Sequence, residues 1–360
     1  MNTNTLTLFG QSCSVHTFEL SKCYWDCGEY QSIKRAVLKR YDTGENENRI
    51  AISEYQHKGI RISLVNRDDG TGVVYVTVNP QRLIKPGGSC GEIIDPKKKN
   101  WQKANREFEK LFRNSPFPNE INNYTVQRVD LCGNVQGKRS TTRECIRLLK
   151  KAGTPASAVP AAPFYDKRMG KKENRSCGRD YFRLKQKSEY FVVYDKIKQA
   201  TRCGLSGIEE LPKGLLRVEL QLQRKALRKI EKHYGVEGLE LIRLLADQSA
   251  ERITEKTANL FPSGAYYHRK SLQNRILRSD YGWTLKNHML QYVGLSKKHG
   301  EDKATQIIMK RWGWNRRQYQ NFREKFETLG IQPVPLRKNF HGDTLPSLGI
   351  CLRCLLNGNS

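Results

Sequence analysis

The chemistry available to this sequence centres on Tyr190-Phe191-Val192-Val193-Tyr194-Asp195-Lys196. In an extended strand alternate residues share a face, so Tyr190, Tyr194 and Lys196 point one way while Phe191 and Val193 point into a core. A phenol ionises near pH ~10, so tyrosine attacks a phosphodiester at neutral pH only with help from a neighbouring cation or a metal. In this reading Lys196 supplies that charge to Tyr194, and Tyr190 on the same face is its understudy. Tyr-x-Lys alone is a common pattern whose plain alternative is a half-buried strand with amphipathic tyrosines. Two further strands sharpen it. Thr125 to Leu131 sends Val129 and Leu131 inward and Arg128 and Asp130 outward, and Leu215 to Leu222 does the same with Arg217 and Glu219. Each puts a carboxylate beside an arginine on the polar side of an apolar strand. Two such carboxylates meeting on one sheet face can hold Mg²⁺ or Mn²⁺ through oxygen ligands; otherwise they are surface pairs on a half-exposed sheet.

Arg-Val-Asp at 128–130, a strand ending in Tyr-x-Lys at 194–196 and Leu-Arg-Val-Glu-Leu at 216–220 resemble, in that order, the replication initiators of filamentous phages, the gene II and gene X proteins. Plasmid rolling-circle initiators share the order. The likeness spans roughly Gly59 to Gln332 and lies in strand motifs more than in long identity. It implies a metal-dependent, site-specific nickase in which Tyr194 attacks one DNA strand and stays joined to its 5′ phosphate. Asp130 and Glu219 are then the metal ligands, with a third unplaced, Lys196 the charge partner, and Arg128 and Arg217 further neighbours. The partners implied are origin DNA, double- and single-stranded, with a host helicase and polymerase. The seven histidines include no His-x-His pair, so the His-hydrophobe-His metal site of other rolling-circle enzymes is absent. No Walker motif is present either, and the reaction needs no nucleotide cofactor. The alternatives are a non-catalytic DNA-binding regulator or single-strand binder, and a mobilisation relaxase.

Composition agrees with a polyanion partner. Among 360 residues, 64 Lys and Arg against 36 Asp and Glu give a net charge of +28, a surplus that attracts nucleic acid by counterion release. No run of 18 apolar residues and no signal-peptide pattern is seen, so a cytoplasmic protein of a bacterial host, without membrane contact, is expected. The ten cysteines are scattered and read as reduced thiols. Cys23 with Cys27, and Cys351 with Cys354, are spaced closely enough to raise a zinc site helped by His16 or His341.

The elements that must position these residues read as α+β: an antiparallel nuclease sheet with flanking helices, then a mostly helical C-terminal domain. The expected division is a catalytic unit over 1–235, a helical DNA-binding or accessory unit over 236–332 and a peripheral tail over 333–360. Residues 1–58 suggest two short strands, at Thr5 to Phe9 and Ser14 to Leu20, and polar turns. A hairpin follows, with Ile60, Ile62 and Leu64 paired against Val74, Val76 and Val78 across Asp68-Asp69-Gly70. On its return strand Asn79 is a possible active-site neighbour or simply the residue that ends the strand before Pro80. Trp101, Ala104, Phe108, Leu111 and Phe112 mark a helix over 100–113, and Thr141-x-x-Glu144 predicts a capping box opening another. Residues 153–180 form a basic loop in which Lys167, Arg168, Lys171 and Lys172 could follow a DNA backbone. Helices are expected over 238–260, 271–291, 301–311 and 315–329. The last, N-capped by Asn315, carries Arg316, Arg317, Gln318, Asn321 and Arg323, the composition of a recognition helix.

Overall fold

The computed structural model describes residues 7–46, 48–161, 178–205, 207–261 and 263–356. The chain opens with β1 (Thr7–Tyr24), α1 (Cys27–Arg40), β2 (Thr43–Asn46), β3 (Arg49–Ile52), β4 (Ile60–Asn66), β5 (Gly72–Val78), α2 (Pro80–Ile84) and α3 (Lys98–Phe112). It continues through β6 (Thr125–Gln136), α4 (Arg139–Lys151), β7 (Val159–Pro160), β8 (Tyr181–Lys185), β9 (Glu189–Asp195), α5 (Lys196–Arg202) and β10 (Leu215–Gln223). The remainder is mostly helical: α6 (Arg224–Tyr234), α7 (Gly238–Asp247), α8 (Ser249–Leu260), β11 (Ala265–Tyr267), α9 (Arg269–Leu277), α10 (Trp283–His299), α11 (Glu301–Trp312), α12 (Arg316–Thr328), β12 (Thr344–Pro346) and α13 (Leu348–Leu356).

Ten strands form one antiparallel sheet in the order β2-β3-β4-β5-β1-β6-β10-β9-β8-β7. Its centre is β1, β6 and β10, whose alternating apolar residues Val15, Phe18, Leu20, Val129, Leu131, Val218, Leu220 and Leu222 are buried in one continuous core. Trp101, Phe108 and Phe112 of α3, and Ile146 and Leu149 of α4, pack into that core. Each fully buried side chain of this size contributes about 1.5–3 kcal/mol. The opposite face carries the polar residues and is covered over one stretch by a small cluster of Cys90, Ala200, Leu211 and Leu215.

Several boundaries differ from those the sequence suggests. The N-terminal strand is continuous to Tyr24, and α1 follows it where only turns were expected. Asp26 caps that helix by accepting the Glu29 N–H at 2.7 Å, but only Tyr30 and Val37 of it are buried, too narrow a stripe to show as periodicity. The capping box at Thr141 and Glu144 does not form, because α4 begins two residues earlier, at Arg139. Glu144 instead turns inward to Arg147, at 2.6 Å, and to Arg337. The helix expected over 238–260 is two helices hinged at Gln248, and that over 271–291 breaks between α9 and α10.

Packing also divides the chain differently from the 1–235 and 236–332 units. Leu241, Ile242 and Leu245 of α7 and Ile253 of α8 join the sheet's core, as do Val334, Leu336, Phe340, Leu345 and Leu352. The tail read as peripheral is therefore part of the main body. A second core is built from Leu272, Ile276, Met289, Tyr292, Val293, Phe322 and Phe326 of α9, α10 and α12. Helix α6 ends at Gly235, whose φ of +67° is the left-handed conformation that glycine adopts without steric cost.

Candidate active site

Strand register brings the chemistry together. In the ladder of β10 with β6, Glu219 pairs with Cys132 and Gln221 with Asp130, so Asp130 and Glu219 are diagonal neighbours on one face. On the other side of β10, Arg217 pairs with Tyr194. Tyr194 in turn pairs with Tyr181 of β8, the two rings stacking at 5.9 Å. The Tyr194 hydroxyl donates to Glu219 Oε1 at 2.6 Å, and both side chains are buried. Asp130 accepts from the Thr17 hydroxyl at 2.5 Å and lies 3.1 Å from Arg128 Nε. Arg128 also reaches Glu19, at 3.6 Å.

Strand β1 contributes more than its alternation suggests. Its pairing with β6 shifts register between Val15 and Thr17, a β-bulge that places an extra residue on the strand. Val15 and Phe18 both stay in the core, so His16 and Thr17 are left to the polar face. His16 Nδ1 stands 3.8 Å from Glu219 Oε1. Sequence reasoning assigned His16 only to a zinc pair and missed it here. The signal was the three-residue step between apolar Val15 and Phe18 in an otherwise alternating strand.

Electrostatics give each group a resting state. Burial first, then the Glu219 charge, raises the Tyr194 phenol well above its ordinary value, while Arg217 opposes the rise. Tyr194 is therefore a protonated donor at rest. Burial lifts Asp130 to about 6 against the pull of Arg128. Burial and the neighbouring Arg217 lower Lys196 to about 7. His16 is held well below its ordinary value by burial and by surrounding cations, Arg217 foremost, so its contact with Glu219 involves a neutral ring. Arg217 is fully buried: its Nε donates to Asn134 Oδ1 at 2.9 Å and its Nη2 to the Gly91 carbonyl at 2.8 Å. Glycine at 91 leaves room for Leu211, from which a Cβ there would stand 2.4 Å. Arg217 Nη1 is buried with no hydrogen-bond partner.

Lys196 is not on the strand, which ends at Asp195; it is the first residue of α5, yet it is buried beside the cluster with Nζ 2.9 Å from Gln199 Oε1. Tyr190 lies under the Arg183 guanidinium, 3.9 Å from its ring centre. Asn79 is no active-site neighbour: its side chain caps α2 by accepting the Arg82 N–H at 3.0 Å.

Among the nucleic-acid candidates, Arg316, Arg317 and Gln318 are exposed on the first turn of α12, although the Gln318 side chain also accepts the Asn315 N–H in a capping box. Arg323 is corrected. It is buried, with Nε 3.1 Å from Glu301 and Nη2 2.8 Å from Gln332, so it holds the helical core and cannot reach a base. Lys167, Arg168, Lys171 and Lys172 lie outside the described residues, as does the Cys354 side chain. Cys23 is approached by Arg67 at 3.8 Å and Cys27 is exposed. Among the described residues, no three His, Cys, Asp or Glu side chains are grouped as a metal site, and no helix is long and apolar enough to cross a membrane.

No model of a known protein family matches the chain, and no functionally described protein matches it.

Proposed function

We propose that this chain is a metal-dependent DNA nicking and strand-transfer enzyme that starts rolling-circle replication through a 5′-phosphotyrosine at Tyr194. The observation that carries the reading is the buried Tyr194–Glu219 contact of 2.6 Å. A carboxylate on a buried phenol is the geometry for removing its proton. A non-catalytic regulator has no use for it.

In this account the Tyr194 proton passes to Glu219, the phenolate oxygen bonds to phosphorus while the bond from phosphorus to the 3′ oxygen breaks, and the departing oxygen takes up a proton, returned by Glu219 directly or through water. The freed 3′ hydroxyl would then serve a polymerase. Arg217, paired across the strand from Tyr194, and Lys196 in its charged form offset the charge on the phenolate and on the phosphoryl oxygens. Because the phosphotyrosyl bond keeps the energy of the broken linkage, the same site can rejoin the strand. The stacked Tyr181 ring and the cluster of Cys90, Leu211 and Leu215 limit water there.

Asp130 and Glu219 are the carboxylate oxygen donors that would suit Mg²⁺ or Mn²⁺, with a third ligand unplaced. Such an ion would neutralise charge on the scissile phosphate. Arg316, Arg317 and Gln318 are the residues proposed to contact origin duplex.

The test is cleavage of a supercoiled circle that carries the replicon encoding this chain, with Mg²⁺, Mn²⁺ or EDTA. The account predicts nicked circles with either metal and none in chelator. Binding without nicking under every metal condition would leave a DNA-binding regulator as the reading.

A further inference from the structure

Around the end of the sheet from Tyr194 lies a cavity of about 530 Å³ whose walls are almost wholly cationic. Helix α4 contributes Arg143, Arg147 and Lys150, α5 contributes Lys198, and Arg179 and Arg337 close the two sides. One carboxylate, Asp180, shares the lining, and Glu144 stands behind it. Six cations against these two acids leave a surplus of four positive charges.

Arg147, Arg337 and Lys198 are held in place. Glu144, which is 3% exposed, receives Arg147 through two hydrogen bonds of 2.9 and 2.6 Å and also accepts the Arg337 backbone N–H at 2.9 Å. Asp180, similarly buried, receives Lys198 at 2.7 Å and Arg202 at 2.8 Å. Arg143 and Lys150 are exposed on α4. Like charges gathered on one cavity, with Arg147, Arg337 and Lys198 anchored by Glu144 and Asp180 and with Arg143, Lys150 and Arg179 exposed, describe a site that gains from an anion. Among the described residues no aromatic ring lines the cavity, and the guanidinium and ammonium groups that do are suited to phosphate.

Position tells which phosphates. Asp180 precedes Tyr181, the ring stacked on Tyr194, and its carbonyl accepts the N–H of Asp195, the residue after Tyr194. Lys198 lies two residues beyond Lys196 on α5. The cavity therefore lies at the end of β8 and β9 on the face that carries α4, and the Tyr194 side chain lies around that end on the opposite face. We propose that it is a sequence-neutral binding track for the sugar–phosphate backbone of single-stranded DNA on its way to or from Tyr194. Its direction relative to the reacting phosphate rests on the nicking reading; the binding does not.

The experiment uses full-length protein carrying Tyr194→Phe, in EDTA, so that no strand is cut. Fluorescence anisotropy with a labelled 20-nucleotide oligo-dT is measured across NaCl concentrations for three proteins: the parent, Arg143→Gln/Lys150→Gln/Arg179→Gln, and the control Lys103→Gln/Arg106→Gln/Lys110→Gln, which removes the same charge from exposed positions of α3. The pocket triple should bind roughly 10-fold or more weakly at 0.1 M salt, and its plot of log affinity against log salt should flatten by about 2, near 0.7 for each lost phosphate contact. The control should stay within about 3-fold. Equal losses in both triples would overturn the proposal, as would a loss confined to duplex DNA. Displacement of the oligonucleotide by millimolar pyrophosphate to the same degree in the parent and pocket triple would also count against the site. The single exposed variant Arg143→Glu, expected to weaken binding several-fold, keeps the question open to refutation if the triple does not fold. Absence of nicking by the wild type would overturn the nicking reading and leave this result standing.

Discussion

Two regions of the molecule carry charge in opposite ways. Around Tyr194, charged and polar groups are buried and committed to one another: Tyr194 to Glu219, Asp130 to Thr17 and Arg128, Arg217 to Asn134 and Gly91. On α12, Arg316 and Arg317 face solvent, while the one arginine of that helix that is buried, Arg323, is tied to Glu301. Buried charge is costly to maintain and is kept where its orientation matters; exposed charge costs little and suits a mobile polyanion. The difference teaches that a basic residue's role follows from its burial more than from its place in a motif.

The comparison predicts the largest effects at the sheet. Asp130→Asn and Glu219→Gln should each lower nicking by about 10²–10⁴-fold while duplex binding changes less than about 3-fold, checked by parallel cleavage and gel-shift titrations. Equal loss of binding would move both carboxylates to the fold. Next comes stability in the helical core. Arg323→Ala strands Glu301 and should cost about 3–5 kcal/mol, whereas Arg316→Ala should stay within about 0.5 kcal/mol, measured by urea unfolding. Similar costs for the two arginines would erase the contrast.

Lys196 gives a smaller, pH-dependent effect. Its folded value of about 7 lies below that of a free lysine, so between these values the unfolded chain binds more protons, and the group's contribution to stability grows as pH rises. Lys196→Met should therefore raise the melting temperature of metal-free protein at pH 6 by a few degrees and have little effect near pH 10. Greater stabilisation at the higher pH would contradict this placement. The smallest effect is expected for Arg316→Ala with Arg317→Ala: about 1–3 kcal/mol per base contact, lost from origin duplex but not from scrambled duplex. Parallel losses with a flatter salt slope would reduce α12 to a phosphate contact.

Much of this was legible in sequence, for a physical reason. Asp130, Tyr194, Glu219 and Arg217 sit on strands whose apolar alternation dictates the polar face, and the antiparallel register then makes neighbours of them. What alternation cannot show is a bulge, which is why His16 and Thr17 were missed, or a partner from a distant element. Arg323 looks like a DNA-reading residue until Glu301, on the preceding helix, is seen to claim it. Asn79 looks like a site residue until Arg82 shows it to be a cap. Tyr181 follows a stretch without periodicity, so nothing local announced its stacking on Tyr194.

The central claim is that Tyr194 is the nucleophile, and covalent transfer measures it directly. Protein is incubated with Mn²⁺ and single-stranded DNA of its own replicon, labelled at 3′ ends, and resolved under denaturing conditions; the labelled peptide is then sequenced by mass spectrometry. The account predicts label joined to wild type, Tyr190→Phe and Tyr181→Phe, mapped to the peptide containing Tyr194, and a loss of at least about 10³-fold in Tyr194→Phe. Undiminished labelling of Tyr194→Phe, or a phosphotyrosine mapped to Tyr190 or Tyr181 in the wild type, would contradict it.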